Sequence, residues 1–271
     1  MLSELNGAPV FADTGGRVLV SSLPTLVFIH GAQNDHFIWK SLVTRLASPD
    51  RNILAPDLPG HGRSGGAPLA SIAAMADWIV ALLGKVSLRG TAPLVLAGHS
   101  MGSLIALEAA ARLSGQVDHL VMLGTALPMP VAPVLLDAAR DDVPKAMALI
   151  NRWAHSPAAW RGGNRGGGHG LWLPALNLRI MERQPRGTLF TDLAACNDYG
   201  SGLETAARVG CPITLVAGTA DRMTPIKAAR RLAAELPDAS LVEIAGAGHA
   251  LMAEAPAACA AAVGAALSPS A

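Results

Sequence analysis

The feature that constrains this chain most is a serine enclosed by glycines directly behind an apolar run. Residues 93–97 read PLVLA and residues 98–102 read GHSMG. A continuous apolar run of this length predicts a buried strand, and the residues behind the serine predict a helix. Glycines on both sides of Ser100 allow a sharp strand-to-helix turn, because they carry no Cβ atom that would hold the two elements apart. The pattern therefore predicts a serine hydroxyl presented at the end of a strand.

An acid and a histidine follow later in the chain, each in a loop behind a further apolar run. Asp221 lies in VAGTADRMTP, residues 216–225, and His249 ends AGAGH, residues 245–249. A serine hydroxyl is a poor nucleophile at neutral pH, so it needs an imidazole to take its proton and a carboxylate to orient that imidazole. Ser100, Asp221 and His249 are thus predicted as the nucleophile, the orienting acid and the general base.

Two further motifs complete a resemblance to the α/β-hydrolase superfamily. Residues 28–32 read FIHGA and residues 57–64 read DLPGHGRS, and the order Ser, Asp, His is the one found in that superfamily. The resemblance runs from about Asn6 to the last predicted helix and is weakest between 127 and 200. It implies an α/β fold with a mostly parallel, eight-stranded sheet flanked by helices, and a helical cap insertion.

The distribution of apolar runs agrees with such a fold. Short apolar runs alternate with longer helical stretches, as expected for a parallel sheet covered on both faces. Residues 128–200 break this alternation, and we interpret them as the cap, with residues 1–127 and 201–271 forming the hydrolase core. Within the cap, helical segments are expected near 134–151 and 176–184.

Individual elements of the core follow from the same patterns. Residues 9–12 and 17–20, on either side of DTGG, predict an antiparallel hairpin at the edge of the sheet. Parallel strands are expected at 26–30, 52–55, 93–97, 120–123, 213–217 and 240–244. Helices are expected at 37–47, 71–83, 101–113, 226–236 and 256–267.

The resemblance also implies two backbone donors that stabilise the oxyanion formed when a carbonyl is attacked. One is the N–H of Met101, the residue after the serine. The other is the N–H of Ala32, in the loop after the first parallel strand. A register shift of one residue would replace Ala32 by Gly31 or Gln33.

Candidates for the substrate pocket come from the cap and from the loops beneath it. They are Gln33, Trp153, Trp160, Trp172 and Met223. Cap tryptophans either line an apolar pocket or pin the cap helices to the core, and the sequence leaves both roles open. For Gln33, the alternative is a surface loop side chain outside the pocket.

Charge and motif content narrow the class of ligand. With 21 basic and 20 acidic residues the net charge is +1, which gives no field strong enough to recruit nucleic acid or a membrane surface. A small apolar molecule is the expected partner, and monomer and homodimer both stay open. No metal and no cofactor are expected, because HExxH spacing is absent and the glycine-rich run 161–170 lacks the GK[ST] ending of a phosphate loop.

Cysteine usage and the chain's first residues bear on its compartment. Cys196, Cys211 and Cys259 are odd in number and widely spaced, so free thiols in a reducing compartment are expected. The first residues lack the basic and apolar pattern of a secretory signal. A cytoplasmic protein is therefore predicted.

The predicted triad supports one leading function and two alternatives. The leading hypothesis is a cofactor-free serine hydrolase that cleaves a carboxylic ester of a small or medium apolar acyl group through an acyl-enzyme at Ser100. The resemblance also covers carbon–carbon bond hydrolases of ring-cleavage products and lactonases, and fold does not select among them. A hydrolase-like receptor that binds its ligand without turnover is the alternative from another class.

Overall fold

A computed structural model of the protein describes residues 2–88, 92–162, 172–236 and 238–267. Its strands are β1 Leu2–Leu5, β2 Ala8–Asp13, β3 Thr25–Ile29, β4 Asn52–Pro56, β5 Leu94–His99, β6 His119–Leu123, β7 Ile213–Gly218 and β8 Ala239–Ile244. Across the described residues they form one eight-stranded sheet in the order β1-β2-β4-β3-β5-β6-β7-β8. The predicted fold class is therefore confirmed.

The direction of the strands divides the sheet into an antiparallel edge and a parallel body. β1 pairs with β2, and β2 with β4, in antiparallel fashion. All pairings from β4 through β8 are parallel. Every residue of β3, β5 and β7 is buried, because helices cover both faces of the parallel body. Their continuous apolar character is what made these strands visible in the sequence.

The edge hairpin lies earlier in the chain than predicted. Its turn is formed by Asn6 and Gly7, whose φ angles of 54° and 77° fit the two-residue Asn-Gly turn that joins the strands of many hairpins. The predicted second strand at 17–20 is absent from the sheet. Here Asp13 ends β2 instead, because its Oδ1 accepts a hydrogen bond from the Gly15 N–H at 2.8 Å and turns the chain away.

Helices follow most strands. They are α1 Lys40–Leu46, α2 Ile72–Lys85, α3 Met101–Arg112, α4 Pro133–Asp141, α5 Val143–Ala154, α6 Pro157–Trp160, α7 Leu173–Glu182, α8 Thr188–Asn197, α9 Gly202–Ala206, α10 Ile226–Glu235, α11 Leu251–Glu254 and α12 Pro256–Ala265. Side chains of α2 and α3 form the core on one face of the sheet, and those of α1 and α12 on the other. The helix predicted at 37–47 begins as a 3-10 turn, His36–Trp39.

Helices α4 to α8 lie between β6 and β7, and we refer to residues 133–197 as the helical insertion. The segment predicted at 134–151 is two helices, because the Asp142 side chain caps α5 by accepting from the Lys145 N–H at 3.2 Å. Helix α8 is a further element that the sequence patterns did not predict. The insertion has an apolar core of its own, which includes Leu135, Met181 and Leu189.

The remaining sequence expectations concern thiols and membrane segments. Cys196, Cys211 and Cys259 are free, and burial raises the pKa of Cys211 to about 11 and that of Cys259 to about 12. These thiols therefore stay protonated at neutral pH. None of the described helices combines the length and apolar character that a membrane span needs.

Candidate active site

The turn between β5 and α3 holds Ser100 in a strained conformation. Its φ is 54° and its ψ is −122°, a region that residues with a side chain rarely adopt. A Cβ on Gly98 would lie 2.0 Å from the Gly102 carbonyl oxygen, and a Cβ on Gly102 would lie 2.1 Å from the Ile29 carbonyl oxygen. The two glycines are thus required by the close approach of strand and helix that presents Ser100.

Hydrogen bonds on both sides of Ser100 hold this turn in place. Its N–H donates to the Leu123 carbonyl on the neighbouring strand at 2.9 Å. Its carbonyl accepts from the Ser103 N–H at 2.8 Å and from the Ser103 hydroxyl at 2.6 Å. Because these contacts come from both β6 and α3, the strained backbone is determined by the fold around it.

Asp221 and His249 meet at the same edge of the sheet. Asp221 follows β7 and His249 follows β8, and the carboxyl ends of these paired parallel strands lie side by side. Asp221 Oδ2 lies 2.8 Å from His249 Nδ1, and both side chains are buried. Because a carboxylate can only accept, Nδ1 carries the proton, and Nε2 of a neutral His249 is left as a hydrogen-bond acceptor.

The loop after β7 holds Asp221 as an anion. Its Oδ1 accepts from the Met223 and Thr224 N–H groups at 2.7 and 2.9 Å, and its Oδ2 accepts from the Thr224 hydroxyl at 2.9 Å. Burial raises the pKa of Asp221, but His249 and the bonds from Thr224 outweigh burial, so the pKa lies below its ordinary value. Thr224 also lies 3.2 Å from His249 Nδ1 and was missed by sequence reasoning. A threonine three residues after an aspartate in a turn was the available signal.

Ser100 and His249 both line a cavity of about 480 Å³ between the sheet edge and the helical insertion. Its walls include apolar side chains from four helices of the insertion: Leu135, Ile150, Trp153, Leu176, Ile180 and Leu193. Two of the predicted pocket residues, Trp153 and Met223, lie on this wall. An apolar lining of this kind favours an apolar ligand.

Three other predicted pocket residues lie outside the cavity wall. Gln33 is buried between a core loop and the insertion, where its Nε2 donates to the Met181 carbonyl at 3.0 Å. Trp160 and Trp172 pack against each other with ring centroids 5.5 Å apart and are 39% and 48% exposed. The hydrogen bonds of Gln33 hold its side chain away from the cavity, and the two tryptophans pack on each other at the protein surface.

Of the two predicted oxyanion donors, Met101 directly follows Ser100 and Ala32 lines the same cavity as Ser100. Met101 is the first residue of α3, so its N–H has no carbonyl of a preceding helical turn to bond. Ala32 lines the cavity in the loop after β3. The structure removes one register alternative, because the Gln33 N–H donates to Asp192 Oδ2 at 2.8 Å and is not available to a ligand.

Two further histidines near the site are neutral and structural. Burial and the neighbouring His61 lower the pKa of His30 to about 4, and its Nε2 accepts from the Leu58 N–H at 3.1 Å. Burial and the neighbouring His249 lower the pKa of His99 to about 3. The His99 Nε2–H donates to the His249 carbonyl at 2.9 Å, which fixes the backbone of the loop that carries the base.

One cluster of groups within the described residues has the composition of a metal site. Ligand atoms of Asp35, His36 and Asp57 lie within 4.8 Å of one another. Asp57 Oδ1 already accepts from the N–H and Nδ1 of His36, and its Oδ2 accepts from the Arg63 N–H. Burial raises the pKa of Asp57, but these hydrogen bonds and nearby His30 outweigh burial, so the pKa lies below its ordinary value. The hydrogen bonds between His36 and Asp57 therefore link the loop after β3 to the loop after β4.

Comparison with known proteins identifies the family. The model of the alpha/beta hydrolase family matches residues 26–262, so the chain belongs to that family. The predicted superfamily is thus confirmed. The chain is 30% identical over 246 residues to a pimeloyl-[acyl-carrier protein] methyl ester esterase of Aromatoleum aromaticum, covering 84% of this chain and 91% of that protein. The corresponding esterase of Chromobacterium violaceum is 31% identical over 249 residues, covering 84% and 87%.

Solved structures agree in fold. The enol-lactonase of Burkholderia xenovorans superimposes with a TM-score of 0.83 at 20% identity, covering 98% of this chain and 99% of that chain. A structure described as a thermophilic esterase gives a TM-score of 0.78 at 24% identity, covering 97% and 95%. At these identities the likeness concerns the fold, which hosts several hydrolytic chemistries.

Proposed function

We propose that the protein is a cofactor-free serine hydrolase that cleaves a carboxylic ester of a small or medium apolar acyl group through an acyl-enzyme at Ser100. The observation that carries this proposal is the buried hydrogen bond between Asp221 and His249 at the cavity that Ser100 also lines. Membership of the family and similarity to two methyl ester esterases support the same class of reaction.

In the first half of the reaction, the Ser100 hydroxyl oxygen attacks the ester carbonyl carbon while His249 Nε2 takes the hydroxyl proton. The carbonyl oxygen becomes an anion, and the Ala32 and Met101 N–H groups donate to it. The anion then collapses, the bond to the alcohol oxygen breaks, and that oxygen takes the proton from His249. Asp221 stabilises the imidazolium while it exists.

In the second half, water replaces the alcohol. The water oxygen attacks the acyl carbon while His249 takes a proton from the water. The N–H groups of Ala32 and Met101 donate to the second oxyanion. When this intermediate collapses, the bond to Ser100 Oγ breaks and Oγ takes the proton from His249. The carboxylic acid product is released and the starting enzyme is restored. No electrons are exchanged with a second reagent, so no redox group is needed.

The substrate class follows from the cavity. Its walls bring aliphatic and indole groups to the reacting centre, and a pocket of about 480 Å³ suits a small or medium acyl chain. The two esterase relatives act, by their names, on a methyl ester whose acyl group is carried by a protein. Esters with a small alcohol part are therefore the first substrates to try.

Labelling and turnover test the proposal together. Intact-mass spectrometry after fluorophosphonate treatment is expected to show one adduct, which Ser100→Ala abolishes and Ser41→Ala, a change elsewhere on the cavity wall, retains. Folded protein without an adduct on Ser100 would refute the mechanism. A panel of aryl esters, lactones and dienoic diketones separates the bond types. An initial burst without sustained turnover would instead indicate a ligand-trapping receptor.

A further inference from the structure

The helical insertion places a buried carboxylate against the loop that carries the predicted oxyanion donor. Asp192 lies on α8, and its side chain is inaccessible to solvent. Its Oδ2 accepts from the Gln33 N–H at 2.8 Å and lies 2.9 Å from His61 Nε2. One oxygen of the insertion therefore contacts both the loop after β3 and the loop after β4.

His61 is the counter-ion of Asp192. Its Nδ1 lies 3.0 Å from the Pro59 carbonyl oxygen, which can only accept, so Nδ1 carries a proton. Its Nε2 faces the carboxylate, so with Asp192 ionised both ring nitrogens are protonated. Burial lowers the pKa of His61, but the charge of Asp192 and the hydrogen bond to it outweigh burial and raise the pKa above its ordinary value.

The bond to Gln33 fixes the geometry next to Ala32. The Gln33 N–H belongs to the peptide group that joins Ala32 to Gln33, so its direction sets the ψ of Ala32. Gln33 also has a φ of 54°, which is unfavourable for a residue with a side chain and needs support from outside the loop. Asp192 supplies that support one peptide away from the N–H that would donate to the oxyanion.

We propose that Asp192 is a positioning residue for the loop after β3 that carries Ala32 and Gln33, which we call the oxyanion loop. Through the Gln33 N–H it holds this loop in the geometry in which the Ala32 N–H can donate to an oxyanion, and buried His61 is its charge partner. The proposal rests on the proposed function and makes the helical insertion part of the catalytic apparatus rather than only a wall of the pocket. Asp192 itself lies outside the cavity wall and acts through the loop.

The chemistry of this contact indicates a role other than stabilising the packing of the helical insertion on the core. Burying an ion pair gains little stability compared with apolar packing, because both charges lose their hydration. Asp192 Oδ1 adds to the cost, since no hydrogen-bond partner is found for it within the described residues. A direction-specific contact to one backbone N–H is what the carboxylate provides and an apolar side chain would not.

A neighbouring residue on the same helix offers a matched control. Thr188 is buried, and its hydroxyl donates to the Gly60 carbonyl at 3.3 Å, so it also joins the insertion to the loop after β4. Thr188→Val removes that contact at nearly constant volume and leaves Asp192, His61 and Gln33 untouched. This variant shows how activity responds when a contact between the insertion and the core is lost while the oxyanion loop is unchanged.

Kinetics form the first arm of the test. Since deleting one oxyanion donor lowers kcat by about 10² to 10³, a displaced donor in Asp192→Leu, which removes the acceptor for the Gln33 N–H, is expected to lower kcat about 10- to 100-fold with KM nearly unchanged. Affinity for a trifluoromethyl ketone, whose adduct with Ser100 carries an oxyanion, should fall by a similar factor. His61→Gln, which keeps a donor toward Asp192, should lose less. A KM effect alone, or equal losses in Thr188→Val, would overturn the proposal.

Amide hydrogen exchange forms the second arm and does not depend on activity. In the wild type the Gln33 N–H is expected to be protected. Asp192→Leu removes its acceptor and should speed its exchange at least about tenfold, while Thr188→Val leaves it unchanged. Unchanged exchange in Asp192→Leu would refute the positioning role whatever the enzyme hydrolyses. Wild type that neither turns over esters nor forms a fluorophosphonate adduct would refute the proposed function instead.

Discussion

Asp221 Oδ2 lies 2.8 Å from His249 Nδ1, and the same oxygen accepts a second hydrogen bond from the Thr224 hydroxyl at 2.9 Å. The imidazole is therefore oriented by two residues of the loop after β7. Since Oδ1 of Asp221 is held by two backbone N–H groups, the carboxylate cannot rotate without losing several bonds at once. The arrangement fixes which nitrogen of His249 faces the cavity.

Asp221→Asn is expected to lower kcat by about 10⁴ while the protein stays folded, because an amide in this place favours the wrong tautomer of His249. Steady-state hydrolysis of an aryl ester measures the loss, and circular dichroism checks the fold. Asp198→Asn, at an exposed carboxylate, is the matched control and should retain full activity. Near-normal turnover in Asp221→Asn would show that another group orients the base.

Thr224→Val should lower kcat about tenfold, which corresponds to losing one charge-assisted hydrogen bond in the transition state. KM should change little, because Thr224 supports Asp221 and His249. Thr224→Ser keeps the hydroxyl and is expected to restore most of the activity. Equal activity in the serine and valine variants would mean that the hydroxyl has no part in orienting the imidazole.

Much of the fold could be predicted because its signals are local. The buried strands are short apolar runs, and β5 and β7 were placed to within a residue or two by that property alone. The predicted hairpin is misplaced because DTGG and the Asn6-Gly7 pair both offer turn residues, and the turn that joins paired strands is the Asn6-Gly7 pair. The insertion was predicted less well, since its helix boundaries depend on a single cap such as Asp142 and on packing within its own core.

The candidate site also contains residues that local motifs indicate and residues that only distant contacts identify. Ser100, Asp221 and His249 lie in motifs that can be recognised one at a time, so the sequence indicated all of them. Asp192 has no motif, because its partners His61 and Gln33 are 131 and 159 residues away. Such contacts are made by tertiary structure, and only coordinates reveal them.

Gly98→Ala is expected to destabilise the protein by about 3 kcal/mol or more, because the added Cβ would overlap a backbone carbonyl that cannot move without opening the turn. Denaturant unfolding measures the change. Gly210→Ala is the control, since no atom lies within 4 Å of the Cβ it would add. A loss equal to that of the control would show that strand and helix separate easily here.

The His61–Asp192 pair predicts how stability depends on pH. Since the folded-state pKa of His61 lies above its value in the unfolded chain, the proton on His61 stabilises the fold fully below about pH 6.5. That contribution is lost as the pH rises through the folded-state pKa. Burial lowers the pKa of His61, but Asp192, the Pro59 carbonyl and Asp57 outweigh burial and raise it.

Urea unfolding of the wild type and of His61→Gln from pH 6 to pH 9 tests this dependence. The wild type should lose stability with rising pH relative to the variant, so the difference in unfolding free energy is largest at pH 6 and shrinks above it. Groups that titrate in both proteins cancel in the difference. A difference that grows with pH would mean that His61 is neutral in the folded protein.

Leu135→Trp should shorten the acyl chain that the enzyme accepts. Leu135 lies on α4, is 2% exposed and forms part of the cavity wall, so a larger side chain there takes space from the ligand. We expect kcat/KM for an aryl octanoate to fall at least tenfold while that for the aryl acetate stays within about twofold, since each displaced methylene costs about 1–3 kcal/mol in an apolar pocket. Val134→Trp is the matched control, because Val134 is the preceding residue of the same helix and is 50% exposed. An equal loss for both esters would indicate a disturbed fold rather than a filled pocket, and no loss for either would place the acyl chain elsewhere.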